Sequence, residues 1–187
     1  MNDPTVLIVD DDPTILTTMN KALASSYRVR ATNSGERAIQ MAATDPRPEL
    51  ILLDVMMPGL DGYAVLSRLK ENPDTRDIPV IFVTAMEAEE EEELGLGLGA
   101  VDYIMKPIKP VILLARVKTH ITLKQVSDFL QDKNAYLEAE IARRMEENQT
   151  IQNVSIRALA HLAETRDPET GEHILRTQIY VKTLAMH

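Results

Sequence analysis

Five short apolar runs divide the first 105 residues: Val6 to Val9, Tyr27 to Ala31, Leu50 to Leu53, Val80 to Val83 and Val101 to Ile104. Most are apolar without alternation, the pattern of strands covered on both faces. Between and after them lie segments with helical patterning, near 13–25, 35–44, 62–72, 87–97 and 108–122. Strand and helix in strict alternation predict repeated βα units, and parallel strands joined that way need crossovers that cover both faces of the sheet. The expected fold is therefore α/β: a doubly wound, five-stranded parallel sheet between two helical layers. At 187 residues, 44% hydrophobic and 26% charged, the chain has room for one such domain and an appendage.

The third run ends in a charge. "ILLDVMMPGLDG" places Asp54 directly after buried-looking residues, where an ionised carboxylate is unfavourable unless a cation, a metal or a reacting group meets it. In an open parallel sheet the ligand crevice lies beyond the carboxyl ends of the strands. The residues found there are Asp10, Asp11 and Asp12 after the first strand, Asp54 after the third, Thr84 after the fourth, and Lys106 with Pro107 after the fifth. Crowded carboxylates repel, and an oxygen-preferring divalent cation such as Mg²⁺ relieves them; Lys106 adds a fixed positive charge. This set suits phosphoryl transfer onto a carboxylate, with Asp54 as nucleophile forming an acyl phosphate. Mg²⁺ and Lys106 would neutralise the phosphoryl oxygens, and the Thr84 hydroxyl would donate to one of them. Each element has a plainer reading alone. Asp12 reads as a helix cap before Pro13, a preferred first helical residue, and Met56 to Gly59 reads as a turn.

After residue 122 the pattern changes. From Leu123 to Leu162 there is neither glycine nor proline, so a helix can run on unbroken. Leu123, Leu130, Leu137 and Ile151 fall on a seven-residue spacing, with Ile141 on the same stripe. Arg144 takes one apolar position, Ser127, Asn134, Asn148 and Ser155 take companion positions, and Met145 marks a local change of register. A solvated helix is one reading. A short parallel coiled coil, making the chain a homodimer, is the other and the preferred one, because so long a helix has no core of its own. The run Glu87 to Glu93 reads as a solvated, dipole-compatible helix start, or as a partner-recognition segment.

The segments "VLIVDDDP", "ILLDVMMPGLDG", "IFVTA" and "DYIMKP" together make residues 1–122 resemble the receiver domain of two-component response regulators. That resemblance implies a strand order of 2-1-3-4-5, with Asp54 as the phosphoacceptor for a sensor histidine kinase. It further implies that Asp10, Asp11 and Asp54 hold Mg²⁺, Asp11 directly and Asp10 chiefly through water, with the Met56 carbonyl as a further ligand. Thr84 and Tyr103 become the switch pair, and Lys106 the phosphate-binding lysine. Without the resemblance, Tyr103 reads equally as packing.

The chain then divides into a receiver at 1–122, a helical linker at 123–163 and a short tail at 164–187. In the tail, Glu169 and His173 lie four apart, a spacing that two metal ligands on one helical face can use; a helix-start carboxylate and a surface histidine explain it as well. "RDPETGEHILR" is similar to the opening of HD-GYP phosphohydrolase domains, which cleave cyclic di-GMP. The similarity makes Glu169 and His173 candidate ligands for Fe or Mn in a complete output domain. The His-Asp and Gly-Tyr-Pro motifs are absent, and the expectation is a truncated piece of a longer regulator. A rival reading takes "HILRTQI" as the box of a histidine kinase dimerisation helix, against which Ile174 and Gln178 count. A third is a receiver standing alone with a dimerisation arm. A net charge of −9 and a pI near 4.9 argue against a nucleic-acid surface. The lack of cysteine excludes disulfides and thiolate metal sites. Nothing near Met1 resembles a signal or spanning segment, so the expectation is cytoplasmic, with no membrane partner.

Overall fold

The computed structural model describes residues 3–85 and 97–164, together with 176, 177 and 179. In chain order they form β1 (Thr5–Val9), α1 (Pro13–Leu23), β2 (Arg28–Thr32), α2 (Gly35–Ala42), β3 (Leu50–Asp54), α3 (Gly62–Glu71), β4 (Val80–Thr84), β5 (Asp102–Met105) and α4 (Pro110–Glu164). The strands make one parallel sheet in the order β2-β1-β3-β4-β5, as expected. The sequence placed Asp54 and Thr84 just past their strands; each is instead the last residue of its strand, paired to a neighbour. The expected helix near 87–97, with its glutamate run, lies outside the described residues.

Local chemistry sets where the helices start. Asp12 caps α1, its side chain accepting from the Thr14 amide with Pro13 at the first helical position. Ser34 caps α2 and Asp61 caps α3 in the same way. The sheet then divides two apolar layers. On one face Leu7, Val9, Ile51, Leu53 and Phe82 pack against Ala38 and Ala42 of α2 and Val65, Leu66 and Leu69 of α3. On the other, Val6, Ile8, Leu50, Leu52, Ile81 and Ile104 meet Met19 and Leu23 of α1 and Leu113, Val117 and Ile121 of α4. Spacings of four residues put the last three on one stripe of α4. β1 and β3, central in the sheet, are buried along their whole length.

Two compact units are distinguishable, Met1–Asp128 and Phe129–His187. Helix α4 is 55 residues long and passes unbroken through residue 122. In the second unit Phe129, Leu130, Leu137, Ile141, Met145, Ile151, Leu159 and Leu162 are all exposed. No described helix is long and apolar enough to cross a membrane.

Candidate functional site

The parallel register decides which side chains meet. Val9 of β1 is level with Leu53 of β3, so Asp10 and Asp54 follow side by side at the carboxyl edge of the two central strands. Both are buried, at 0% and 3% exposure. Lys106, just after β5, reaches across: its Nζ lies 2.8 Å from Asp10 Oδ2 and 3.2 Å from Asp54 Oδ1. Its backbone amide donates to the Thr84 carbonyl at 2.8 Å, which ties the end of β5 to that of β4. The Lys106–Pro107 peptide is cis.

Two carboxylates against one ammonium leave the buried site electron-rich. Burial pushes the Asp54 carboxyl above its ordinary value and the charge of Asp10 adds to this; Lys106 and the Met56 amide pull it down without cancelling the rise. For Lys106, burial favours the neutral amine, but the close contact with Asp10 and the two carboxylate charges outweigh it and raise its pKa. The lysine is thus held charged, while the acids remain short of positive charge. Asp10 Oδ1 accepts the Asp12 amide at 2.9 Å. Asp10 Oδ2 meets the ammonium as a charge but accepts no hydrogen bond of good geometry, and is the buried side-chain oxygen left over among the described residues. Exposed Asp11 completes the set: Asp10, Asp11 and Asp54 each offer an oxygen within 4.8 Å of the others'. An all-oxygen donor set with an orphaned buried oxygen and excess negative charge fits a hard divalent cation.

Asp10, Asp11, Asp54 and Lys106 therefore come together as their sequence positions predicted, with Thr84 at the same edge. Met56 turns its amide toward the Asp54 carboxylate and its side chain to solvent. Tyr103 lies further back in β5, level with Phe82 and packed against the α2 and α3 side of the core. Glu169 and His173 lie outside the described residues. One contributor was missed in the sequence. The Gly62 amide donates to the Val55 carbonyl at 2.9 Å, and a Cβ there would stand 2.3 Å from the Asp54 carbonyl oxygen. Gly62 thus lets the capped start of α3 close on the backbone of Asp54. The signal was in "PGLDG", where Asp61 caps and glycine follows. Gly59, at φ +82°, makes the preceding turn possible.

Comparison with known proteins places this geometry. The family description "Response regulator receiver domain" matches residues 6–118. A Vibrio cholerae protein described as a "probable cyclic di-GMP phosphodiesterase" is 49% identical over 181 residues, which is 97% of this chain and 41% of that protein. The response regulator PleD of Caulobacter vibrioides is 42% identical over 131 residues, 70% of this chain and 29% of its own length. The chain thus spans less than half of these relatives. Among solved structures, the receiver domain of a Syntrophus aciditrophicus signal transduction histidine kinase is 37% identical with a TM-score of 0.58, covering 64% of this chain and 90% of that one. A response regulator receiver domain protein of Methanospirillum hungatei gives 26% identity and a TM-score of 0.61, over 66% of this chain and 98% of that one.

Proposed function

This chain belongs to the response regulator receiver family, and from that premise we propose that it accepts a phosphoryl group on Asp54 from a sensor histidine kinase and relays the change through α4. The observation that carries this reading is the Lys106 ammonium shared by the buried Asp10 and Asp54 at the sheet's carboxyl edge. An Asp54 carboxylate oxygen attacks phosphorus, forming an acyl phosphate as the bond to the donor's leaving group breaks. Asp10, Asp11, Asp54 and the Met56 carbonyl would hold Mg²⁺, which would supply charge neutralisation for the phosphoryl oxygens. Lys106 holds the phosphoryl group from the β5 side, and the Thr84 hydroxyl donates to it. The product adds a charge of about −1.5 to −2 at an edge shared by β4 and β5. Thr84 moves toward that charge, and Tyr103 turns into the space released.

The output reading follows the sequence organisation: a receiver at 1–122, a linker at 123–163 and, from 164, the start of an HD-GYP domain that hydrolyses cyclic di-GMP in the whole protein. There Glu169 and His173 are its first metal ligands. Identity to the Vibrio cholerae protein over nearly the whole of this chain, tail included, supports it. The exposed apolar stripe of α4 supports a parallel coiled-coil homodimer. The test of the central claim is intact mass after incubation with a small phosphodonor and Mg²⁺. The parent gains one phosphoryl group and Asp54→Asn gains none; equal uptake by both would reject Asp54 as acceptor.

A further inference from the structure

Helix α4 is attached to the sheet in two different ways. Leu113, Val117 and Ile121 form a buried apolar seam, and such contacts are non-directional. Arg116 and His120, each one residue before a seam residue, lie about 100° round the helix from it, turned to the edge strand β5. Both reach the carboxylate of Asp102, the first residue of that strand. Arg116 pairs with Oδ1, His120 Nε2 lies 3.1 Å from Oδ2, and the Tyr103 amide donates to Oδ1 at 2.8 Å. Partial burial alone would raise the Asp102 carboxyl, but the hydrogen bonds from Arg116, the Tyr103 amide and His120 outweigh it and hold its pKa below the ordinary value. The Arg116 guanidinium also lies over the Tyr103 ring, 5.8 Å from its centroid, in the range of a cation–π contact. One guanidinium is thus shared between the carboxylate of Asp102 and the ring of the adjacent residue.

Charge-assisted hydrogen bonds have direction where an apolar seam does not. We infer that Asp102 is the joint that couples the position of the Tyr103 ring to the rotational setting of α4, acting through Arg116 and His120. This rests on the phosphoacceptor reading of Asp54 given above. When Tyr103 turns, Arg116 loses its ring contact but keeps its carboxylate, and the helix turn that carries Arg116 and His120 resets about that anchor. Asp102 is a positioning residue: it touches neither the acidic cluster nor the phosphoryl group.

The experiment compares the full chain with Asp102→Asn and Arg116→Lys, with and without phosphodonor and Mg²⁺, by intact mass and by amide hydrogen exchange of Arg116 to Gln125. In the parent, phosphorylation changes exchange over this stretch by about threefold or more. Asp102→Asn is expected to take up phosphoryl as the parent does while losing that response, and Arg116→Lys, which keeps the charge but not the flat ring contact, to lose part of it. Full uptake with a full helix response in Asp102→Asn overturns the inference. Should Asp102→Asn fail to take up phosphoryl, Arg116→Lys decides, and an unchanged response there overturns it. A parent that takes up no phosphoryl rejects the Asp54 reading itself, and the joint falls with it.

Discussion

Leucine serves opposite ends in the two units of this chain. Leu7, Leu50, Leu52, Leu53, Leu66 and Leu69 are wholly or almost wholly buried around the sheet, whereas Leu130, Leu137, Leu159 and Leu162 stand 43–65% exposed along α4. Charge divides the other way. In the first unit Asp10 and Asp54 are buried with a single lysine between them. In the second, Glu140 accepts hydrogen bonds from Arg143 and Arg144, and Arg143 also pairs with Glu147, all along one helical surface. A sheet between helices can bury both its faces within one chain. One helix cannot, and the apolar stripe of α4 stands exposed. The buried acids of the first unit share one ammonium between two carboxylates, which leaves an excess of negative charge there. The two units thus present different features, one a buried acidic cluster that fits a divalent cation, the other an exposed apolar stripe.

The sharpest way to break that contrast is at the stripe. Replacing Leu130 and Leu137 with asparagine removes four leucines from a dimer, at about 1.5 kcal/mol or more each. Light scattering should then report monomer where the parent reports dimer, while phosphoryl uptake on Asp54 is unchanged; a variant that stays dimeric would refute the coiled coil. Leu52→Ala probes the other side of the contrast. It lies fully buried between β1 and β4, and its loss should lower the free energy of unfolding by about 2–5 kcal/mol in urea titration. A fall well under that range would mean the sheet is less tightly packed than its burial implies.

The smallest effect concerns the buried charge. Asp54 titrates above the ordinary 3.8 in the folded chain, so the folded state holds its proton more tightly than the unfolded one. Stability therefore falls as pH rises from the ordinary value through the raised one, and the penalty is complete above it. Asp54→Asn should remove the penalty and stabilise the metal-free protein at pH 7 by about 1–3 kcal/mol. The gap should close as pH is lowered toward the ordinary carboxylate range. A gap that stays constant with pH would mean that ionisation of Asp54 does not oppose folding. Asp102 works in the opposite sense: its pKa is lowered, so its contribution is lost as pH falls through that lowered value.

Most of the acidic site was legible because strand ends are legible. An apolar run that stops at a carboxylate, in βα order, can be aligned with its neighbours by the rule that crevices open at carboxyl ends. The cap at Asp12 and the unbroken helix beyond Leu123 follow from equally local signals. Other features were only partly legible, or not at all. Gly62 could be read as a turn residue but not as the point where α3 closes on Asp54, since that contact spans an intervening loop. Asp102, Arg116 and His120 are separated by 14 and 18 residues of chain, and nothing in their spacing marks them as partners.

The amino-acid order by itself determined the alternation of elements, the placing of acids and lysine at one edge, and the stripe of α4, because each depends on periodicity and on neighbours within a few residues. Only the tertiary structure decided that Lys106 stands between Asp10 and Asp54, that one oxygen of Asp10 meets that ammonium without a well-aligned hydrogen bond, and that Asp102 joins β5 to α4. Those outcomes depend on distances across the sheet, fixed by strand register and helix packing together, which no local pattern carries.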